Sequence, residues 1–258
     1  MPTDATDLQA NARLLRDLHH NGMLVLPNVW DAASAAVVVE AGFPVVATAS
    51  AAITAMLGYP DEEKAPWAEM FAAAGRVVGA VSVPVTVDAE AGYGLSPRAL
   101  VDGLLDIGAV GCNLEDTDYR NGALVEAGRH AEWLSAVRAA ADSAGVSLVI
   151  NARVDTFLPV GAVPEQDRVT ETIRRAMLYR DAGADCVYPI GIRAAADIAA
   201  IVTALECPVN ANTGPGLDLA QLRDLGVKRV SFGPRFYRAA LAGLDVSVRG
   251  LLSQTSAT

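Results

Sequence analysis

Short apolar runs alternate with alanine-rich helical stretches along almost the whole chain, and this alternation restricts the fold more than any single motif. Eight runs read as strands: Met23–Leu26, Val45–Thr48, Val83–Val87, Val110–Leu114, Leu148–Ile150, Cys186–Tyr188, Val209–Ala211 and Arg229–Ser231. Helical patterns stand between them at Ala32–Ala41, Ala65–Ala80, Pro97–Ile107, Ala131–Ala144, Arg168–Ala182, Ala194–Leu205 and Leu217–Leu225. Five of these helices run into glycine, at Gly42, Gly108, Gly145, Gly183 and Gly226, which suits a left-handed C-terminal cap before a return to the sheet. With a last helix around Arg235–Leu244, the pattern predicts an α/β fold, a (β/α)8 TIM-type barrel. A doubly wound open sheet is the runner-up. Helix Asp7–His20 precedes the first strand and is expected to cover the barrel bottom. No Ser/Pro/Gly-rich linker interrupts the repeat, so 1–258 is read as a single barrel domain, with 1–7 and 250–258 expected to be flexible.

Composition fits one large core, with 52% hydrophobic and 19% charged residues. The formal net charge of −10 argues against nucleic acid and against an anionic membrane as partners. It leaves room for a small carboxylate substrate, because a metal and one arginine can reverse the local field. Cys112, Cys186 and Cys207 lie in or beside apolar runs without metal-ligand spacing, and no export signal precedes them. Reduced core thiols and a cytoplasmic protein are expected. No apolar stretch is long enough to span a bilayer.

In a barrel of this kind the chemistry collects at the C-terminal strand ends. The third strand ends in Val87-Asp88-Ala89-Glu90-Ala91-Gly92-Tyr93-Gly94, and a period of two puts Asp88 and Glu90 on one side. The fourth ends in Asn113-Leu114-Glu115-Asp116. Crowded strand-end carboxylates call for a cation or an arginine, and a hard divalent ion suits them. Asp116 has a second reading, as a holder of the next loop. The remaining strand ends offer Trp30 and Asp31, then Thr48, Ser50 and Ala51, then Asn151 and Arg153, and finally Asn212. Asp31 could instead cap the helix it precedes, and Asp61 could start the one after it. Arg153 has two readings, a counter-ion to the acids or a fork for a substrate carboxylate. His19 and His20 read as surface residues of the first helix, and His130 opens the helix after the fourth strand. There is no HExxH, no CxxC and no convincing Ser–His–Asp set.

Taken in order, these residues resemble the isocitrate lyase/phosphoenolpyruvate mutase (phosphonomutase) superfamily over nearly the whole chain. The resemblance rests on Pro27-Asn28-Val29-Trp30-Asp31, Thr48-Ala49-Ser50-Ala51, Leu57-Gly58-Tyr59-Pro60-Asp61, the Asp88–Gly94 element, Asn113–Asp116 and Asn151-Ala152-Arg153-Val154-Asp155. It implies a Mg2+ site (Mn2+ as an alternative) at Asp88, Glu90 and Glu115, partly through water, with Asp61 nearby. It implies that Thr48, Ser50, Ala51 and Arg153 hold a substrate carboxylate. It also implies a homo-oligomer, a tetramer or dimer, with the C-terminal helix exchanged between neighbours.

Two departures shape the functional reading. Family lyases carry Lys-x-Cys-Gly-His on the loop after strand four and mutases a Lys-rich segment, whereas this loop reads Thr117-Asp118-Tyr119-Arg120-Asn121-Gly122-Ala123-Leu124. Strand six ends Tyr188-Pro189-Ile190-Gly191, where lyases have glutamate and mutases histidine at about Ile190. The retained acids fit enolate stabilisation, and decarboxylation needs no dedicated acid as the bond breaks. The expected function is therefore a Mg2+-dependent lyase or decarboxylase of a small 2-oxo or 2-hydroxy (di)carboxylic acid, with Tyr119 and Arg120 as loop candidates for proton transfer and Asp61 and Arg153 beside them. The alternatives are carbon–phosphorus chemistry of the phosphonopyruvate type, and a metal and oxo-acid binding protein without turnover.

Overall fold

The computed structural model describes residues 5–255. Its eight barrel strands are β1 (Leu24–Leu26 continuing as Asn28–Val29), β2 (Val46–Thr48), β3 (Val85–Asp88), β4 (Gly111–Glu115), β5 (Val149–Val154), β6 (Cys186–Pro189), β7 (Asn210–Asn212) and β8 (Arg229–Ser231). Pro27 divides β1 because proline has no N–H for a ladder. The first half of β1 pairs with β8 and the second with β2. Parallel pairing then runs in chain order from β2 to β6. The bridge from Val187 to Val209 carries it to β7, which pairs with β8. The ladder returns to its start, so the predicted (β/α)8 barrel is the fold. Asn28 staples the seam: its Nδ2 donates to the Thr48 carbonyl at 2.8 Å, while its Oδ1 accepts from Phe232 N and Gly233 N at 2.7 and 3.0 Å.

The helices are α1 (Ala5–His20), α2 (Ala32–Glu40), α3 (Ser50–Leu57), α4 (Trp67–Gly79), α5 (Pro97–Asp106), α6 (Ala127–Ser143), α7 (Arg168–Asp181), α8 (Ala195–Ala204), α9 (Leu219–Asp224) and α10 (Arg235–Thr255). All but α3 correspond to a sequence pattern. Ser50–Leu57 is almost wholly apolar and follows β2 after one residue, so no polar face separates it from the strand. The expected glycine stops hold, with φ between 74° and 101° at Gly42, Gly108, Gly145, Gly183 and Gly226. Of the segments expected to be flexible, 5–7 and 250–255 belong to α1 and α10. Residues 1–4 and 256–258 lie outside the described residues.

Helix α1 packs under the barrel through Leu8, Ala12 and Leu15, as expected. The surface reading of His19 is corrected: it lies one turn beyond Leu15 on the same face, is 1% exposed, and its Nδ1 donates to the Leu15 carbonyl at 2.8 Å. Its Nε2 meets Arg229, a guanidinium buried among the strands. The barrel interior is polar, with Thr86, Asn113, Asn151, Asn210 and Ser231 buried alongside Arg229. That departs from the branched apolar layers usual in such barrels. No helix among the described residues is long and apolar enough to cross a membrane. The last helix leaves Leu241, Leu244, Val246, Val248, Leu251 and Leu252 exposed.

Candidate active site

The acid cluster is built where β2, β3, β4 and β5 end. Helix α3 starts at Ser50, and its N-terminus faces the end of β3. Ser50 N and Oγ both donate to Asp88 Oδ2, at 3.0 and 2.8 Å, and Thr48 Oγ1 accepts the Asp88 N–H at 2.9 Å. The partial positive end of α3 favours a carboxylate here. Ala51, the next residue, adds a half-buried position in that first turn. Asp88 Oδ1 is buried without a hydrogen-bond partner.

Glu90 sits in the left-handed region, φ 47°, in the tight turn after β3. Its Oε2 accepts from Glu63 N at 2.6 Å and its Oε1 from the Tyr93 hydroxyl at 3.0 Å. Glu63 answers by accepting from Tyr93 N at 2.5 Å. Two consecutive residues of the opposing loop, Glu62 and Glu63, also have positive φ (71° and 56°), so both sides of this clamp hold non-glycine residues in a disfavoured conformation. Glu63 was not among the sequence candidates, because a loop glutamate carries no signature of such a contact. Burial first, then the charges of Asp88 and Asp61, push Glu90 up to about 7, against the pull of the Glu63 N–H. Burial and Asp88 likewise raise Asp61, although its neighbour Glu62 donates a backbone hydrogen bond to it.

Glu115, at the end of β4, is in contact with the Arg153 guanidinium and the Tyr119 hydroxyl. Burial raises its pKa well above the usual range, with Arg153 opposing and Asp155 and Asp88 adding to it. Arg153 also forks onto Asp155, from Nε at 2.7 Å and Nη2 at 3.0 Å. Asp155 in turn accepts from Thr117 Oγ1 at 2.6 Å. The structure thus places Arg153 as counter-ion to Glu115 and Asp155 while it lines the acid cavity, a space of about 360 Å3 bounded also by Ser50, Asp61, Glu90 and Tyr119. Asp116 turns away from that space. It accepts from Asp155 N at 2.9 Å, Arg175 Nη1 at 3.0 Å and the Tyr179 hydroxyl at 2.8 Å, the loop-holding alternative.

The remaining candidates divide. Asn151 Nδ2 donates to Asn113 Oδ1 at 2.8 Å inside the barrel, and its own Oδ1 is an orphan. Asn212 accepts from the Tyr188 hydroxyl at 2.7 Å and donates to the Ser231 carbonyl at 2.7 Å. Asp31 closes a capping box with Ser34 on α2, its Oδ1 accepting from Ser34 N at 2.7 Å. With Trp30 it borders a separate apolar groove of about 620 Å3 between α2 and Phe236. Arg120 is exposed and stands against Gly94, where an added Cβ would lie 2.7 Å from its Nη2. Its guanidinium lines neighbouring space, outside the acid cavity.

The donor set fits a hard divalent cation of the hydrated kind. Among the described residues no group of three His, Cys, Asp or Glu side chains is arranged to hold an ion by itself, so a cation here would depend on water for most of its ligands. Mg2+ commonly keeps several waters and takes one or two carboxylates. The orphan Asp88 Oδ1 and the raised carboxylates Glu90, Glu115 and Asp61 supply such donors.

The chain belongs to the phosphoenolpyruvate phosphomutase family, whose model matches residues 15–252. It is 34% identical over 226 residues to an uncharacterized protein of Mycobacterium tuberculosis, covering 87% of this chain and 83% of that one. It is 30% identical over 210 residues to an oxaloacetate decarboxylase of Rhodopseudomonas palustris, covering 79% and 70%. Among solved structures, a candidate phosphonomutase from Burkholderia cenocepacia superposes with a TM-score of 0.85 at 39% identity over 93% of this chain and 99% of that one. Oxaloacetate acetylhydrolase in complex with the product oxalate gives 0.80 at 27% identity over 94% and 86%. Family members include carbon–carbon lyases and decarboxylases as well as mutases, which makes this chain a member of an enzyme family.

Proposed function

We propose that the protein is a Mg2+-dependent lyase that decarboxylates or cleaves a small 2-oxo or 2-hydroxy dicarboxylic acid through an enolate. The observation that carries the reading is Asp88, a half-buried carboxylate held on one oxygen by Ser50 and with its other, buried oxygen unpartnered, in a nest of raised carboxylates beside Arg153. Mg2+ or Mn2+ would be held by Asp88, Glu90 and Glu115, and when bound it supplies a positive charge for the developing enolate oxygen. The chain does the rest. The Ser50–Ala51 turn and the Arg153 guanidinium orient the substrate's carboxylate end. In a decarboxylation the bond between C3 and the departing carboxyl breaks, its electron pair enters the enolate, and CO2 leaves. Tyr119, whose phenol is driven upward by burial and then by Glu115, stays protonated and can return a proton to C3.

The similarity to an oxaloacetate decarboxylase and to an oxaloacetate acetylhydrolase supports a dicarboxylate of this kind. The position of Arg120 and the exposure of Arg129 count against a phosphoryl group in the acid cavity. The exposed apolar side chains of α10 support a homo-oligomer in which this helix docks on a neighbouring copy. The test is CO2 and pyruvate formation from oxaloacetate with Mg2+ and after chelation. Phosphate release from phosphonopyruvate, with no product from oxaloacetate or from a panel of 2-hydroxy dicarboxylates, overturns the reading.

A further inference from the structure

Strained backbone gathers chiefly at one place in this molecule. Of the five non-glycine residues with positive φ among the described residues, four belong to the two sides of one clamp: Glu62 and Glu63 on the loop, Glu90 and Tyr93 on the turn after β3. Such conformations cost stability, persist only where the surroundings over-determine them, and cluster at functional sites. Here a reciprocal set of hydrogen bonds over-determines them. The Glu63 N–H donates to Glu90 Oε2 at 2.6 Å, while the half-buried Glu63 carboxylate accepts from Tyr93 N at 2.5 Å and from Ala91 N. The Tyr93 hydroxyl closes on the other Glu90 oxygen at 3.0 Å. Glu90, 1% exposed, therefore has both oxygens engaged and little freedom to turn. The neighbouring acids are held in the same manner: Ser50 takes one oxygen of Asp88, and Arg153 and Tyr119 engage Glu115. No step of the proposed reaction uses Glu63.

We propose that Glu63 is a positioning residue that acts through Glu90: by fixing this carboxylate as a single-point donor, it makes the site select a small hydrated cation, Mg2+, over Ca2+. This role rests on the reading of Asp88, Glu90 and Glu115 as the cation donors. Ca2+ takes about six to eight oxygens in flexible geometry and often a bidentate carboxylate, whereas Mg2+ demands a near-ideal octahedron and keeps several waters. Glu90, with one oxygen on Glu63 N and the other on the Tyr93 hydroxyl, cannot swing both onto one ion. Asp88, with Oδ2 on Ser50, presents Oδ1 alone. Cutting Glu63 loose from Tyr93 and Ala91 frees the loop, and with it Glu90, to offer two oxygens at once. Outer partners of ligating carboxylates tune metal affinity by about ten- to a hundredfold.

Calorimetry of the full chain with Mg2+ and with Ca2+ tests this independently of turnover. The wild type should bind Mg2+ more tightly than Ca2+. Glu63→Ala, which removes the acceptor of Tyr93 N and Ala91 N, should lower that preference by about tenfold or more. Glu63→Gln keeps an oxygen for Tyr93 N and should hold the preference within about threefold of the wild type. A merely structural loss weakens both ions alike and leaves their ratio unchanged. Tyr93→Phe frees one Glu90 oxygen with the bonds of Glu63 in place, and should also shift the ratio toward Ca2+. An unmoved ratio in Glu63→Ala or, where that variant does not fold, in Tyr93→Phe overturns the role of Glu63 and leaves the lyase reading standing. A wild type that favours Ca2+ does the same, as does a Glu63→Gln that falls as far as Glu63→Ala. A wild type that binds neither ion overturns the metal site of that reading and the role of Glu63 with it. Selective Mg2+ binding without turnover of any 2-oxo or 2-hydroxy acid sinks the lyase reading alone, and the ratio still decides for or against Glu63.

Discussion

Acidification should expose the cost of keeping His130 neutral. Burial lowers its pKa from 6.5 to about 3, with Arg175 adding to the effect. An unfolded chain protonates this ring at about 6.5, so the folded state binds fewer protons between the two values, and stability falls as pH drops below 6.5. From pH 6.5 to 4.5 the loss is two pH units, or about 3 kcal/mol at ~1.4 kcal/mol per unit. The raised carboxylates Glu90, Glu115, Asp116 and Asp155 work the other way: protonated early in the fold, they destabilise it as pH rises above their unfolded values. The total pH dependence therefore mixes opposing terms, and a difference between two proteins isolates one. His130→Gln removes the histidine and leaves the carboxylates in both proteins. Urea unfolding followed by tryptophan fluorescence, in EDTA at pH 7 and pH 4.5, gives the comparison. The variant should be less stable at pH 7 through lost ring packing, and the gap should close by about 3 kcal/mol at pH 4.5. A gap that stays constant between the two pH values refutes a buried neutral histidine here.

Further outcomes follow from the site. Asp88→Asn should lower kcat about a hundredfold or more and weaken Mg2+ binding measured by calorimetry, since it removes the anionic partner of Ser50 and the cation donor. Arg153→Lys should raise KM and lower the melting temperature together, because an ammonium cannot reproduce the fork onto Asp155 while reaching Glu115. Tyr119→Phe should slow product formation while leaving Mg2+ affinity within about threefold, a split that kinetics and calorimetry read separately. Leu244→Glu combined with Val248→Glu should convert an oligomer to monomers in light scattering, as both side chains are exposed on α10.

The eight strands were legible because each is a short apolar run closed by a turn signal, and five of the helices because a glycine stop bounds them. Helix α3 was not, since its apolar composition resembles a continued strand. The closure at Pro27 depends on Asn28 reaching both neighbours, a side-chain contact with no sequence period. At the site, the carboxylates of β3 and β4 could be placed from their position at strand ends. The clamp between Glu63 and Tyr93 could not, because it joins residues 30 apart through backbone conformations that neither residue type favours. Asp31 shows the limit of motif reading: the same residue serves a cap or a ligand, and only its bond to Ser34 shows which contact it makes.

Arg229 at the barrel axis ties the scaffold to the chemistry. It is fully buried, its Nε lacks a partner, and its side-chain contacts are Asn113 and the neutral His19, so among the described residues no carboxylate within ion-pair reach cancels its charge. In a medium of low polarisability that field extends upward to the acids, Asp88 among them. Replacing the polar interior with leucine and valine, an ordinary route to a more heat-resistant barrel, would therefore alter the potential at the strand ends along with the packing. In this protein the hydrophobic layers found in other barrels are not a neutral substitute, and the core can be redesigned only together with the site above it.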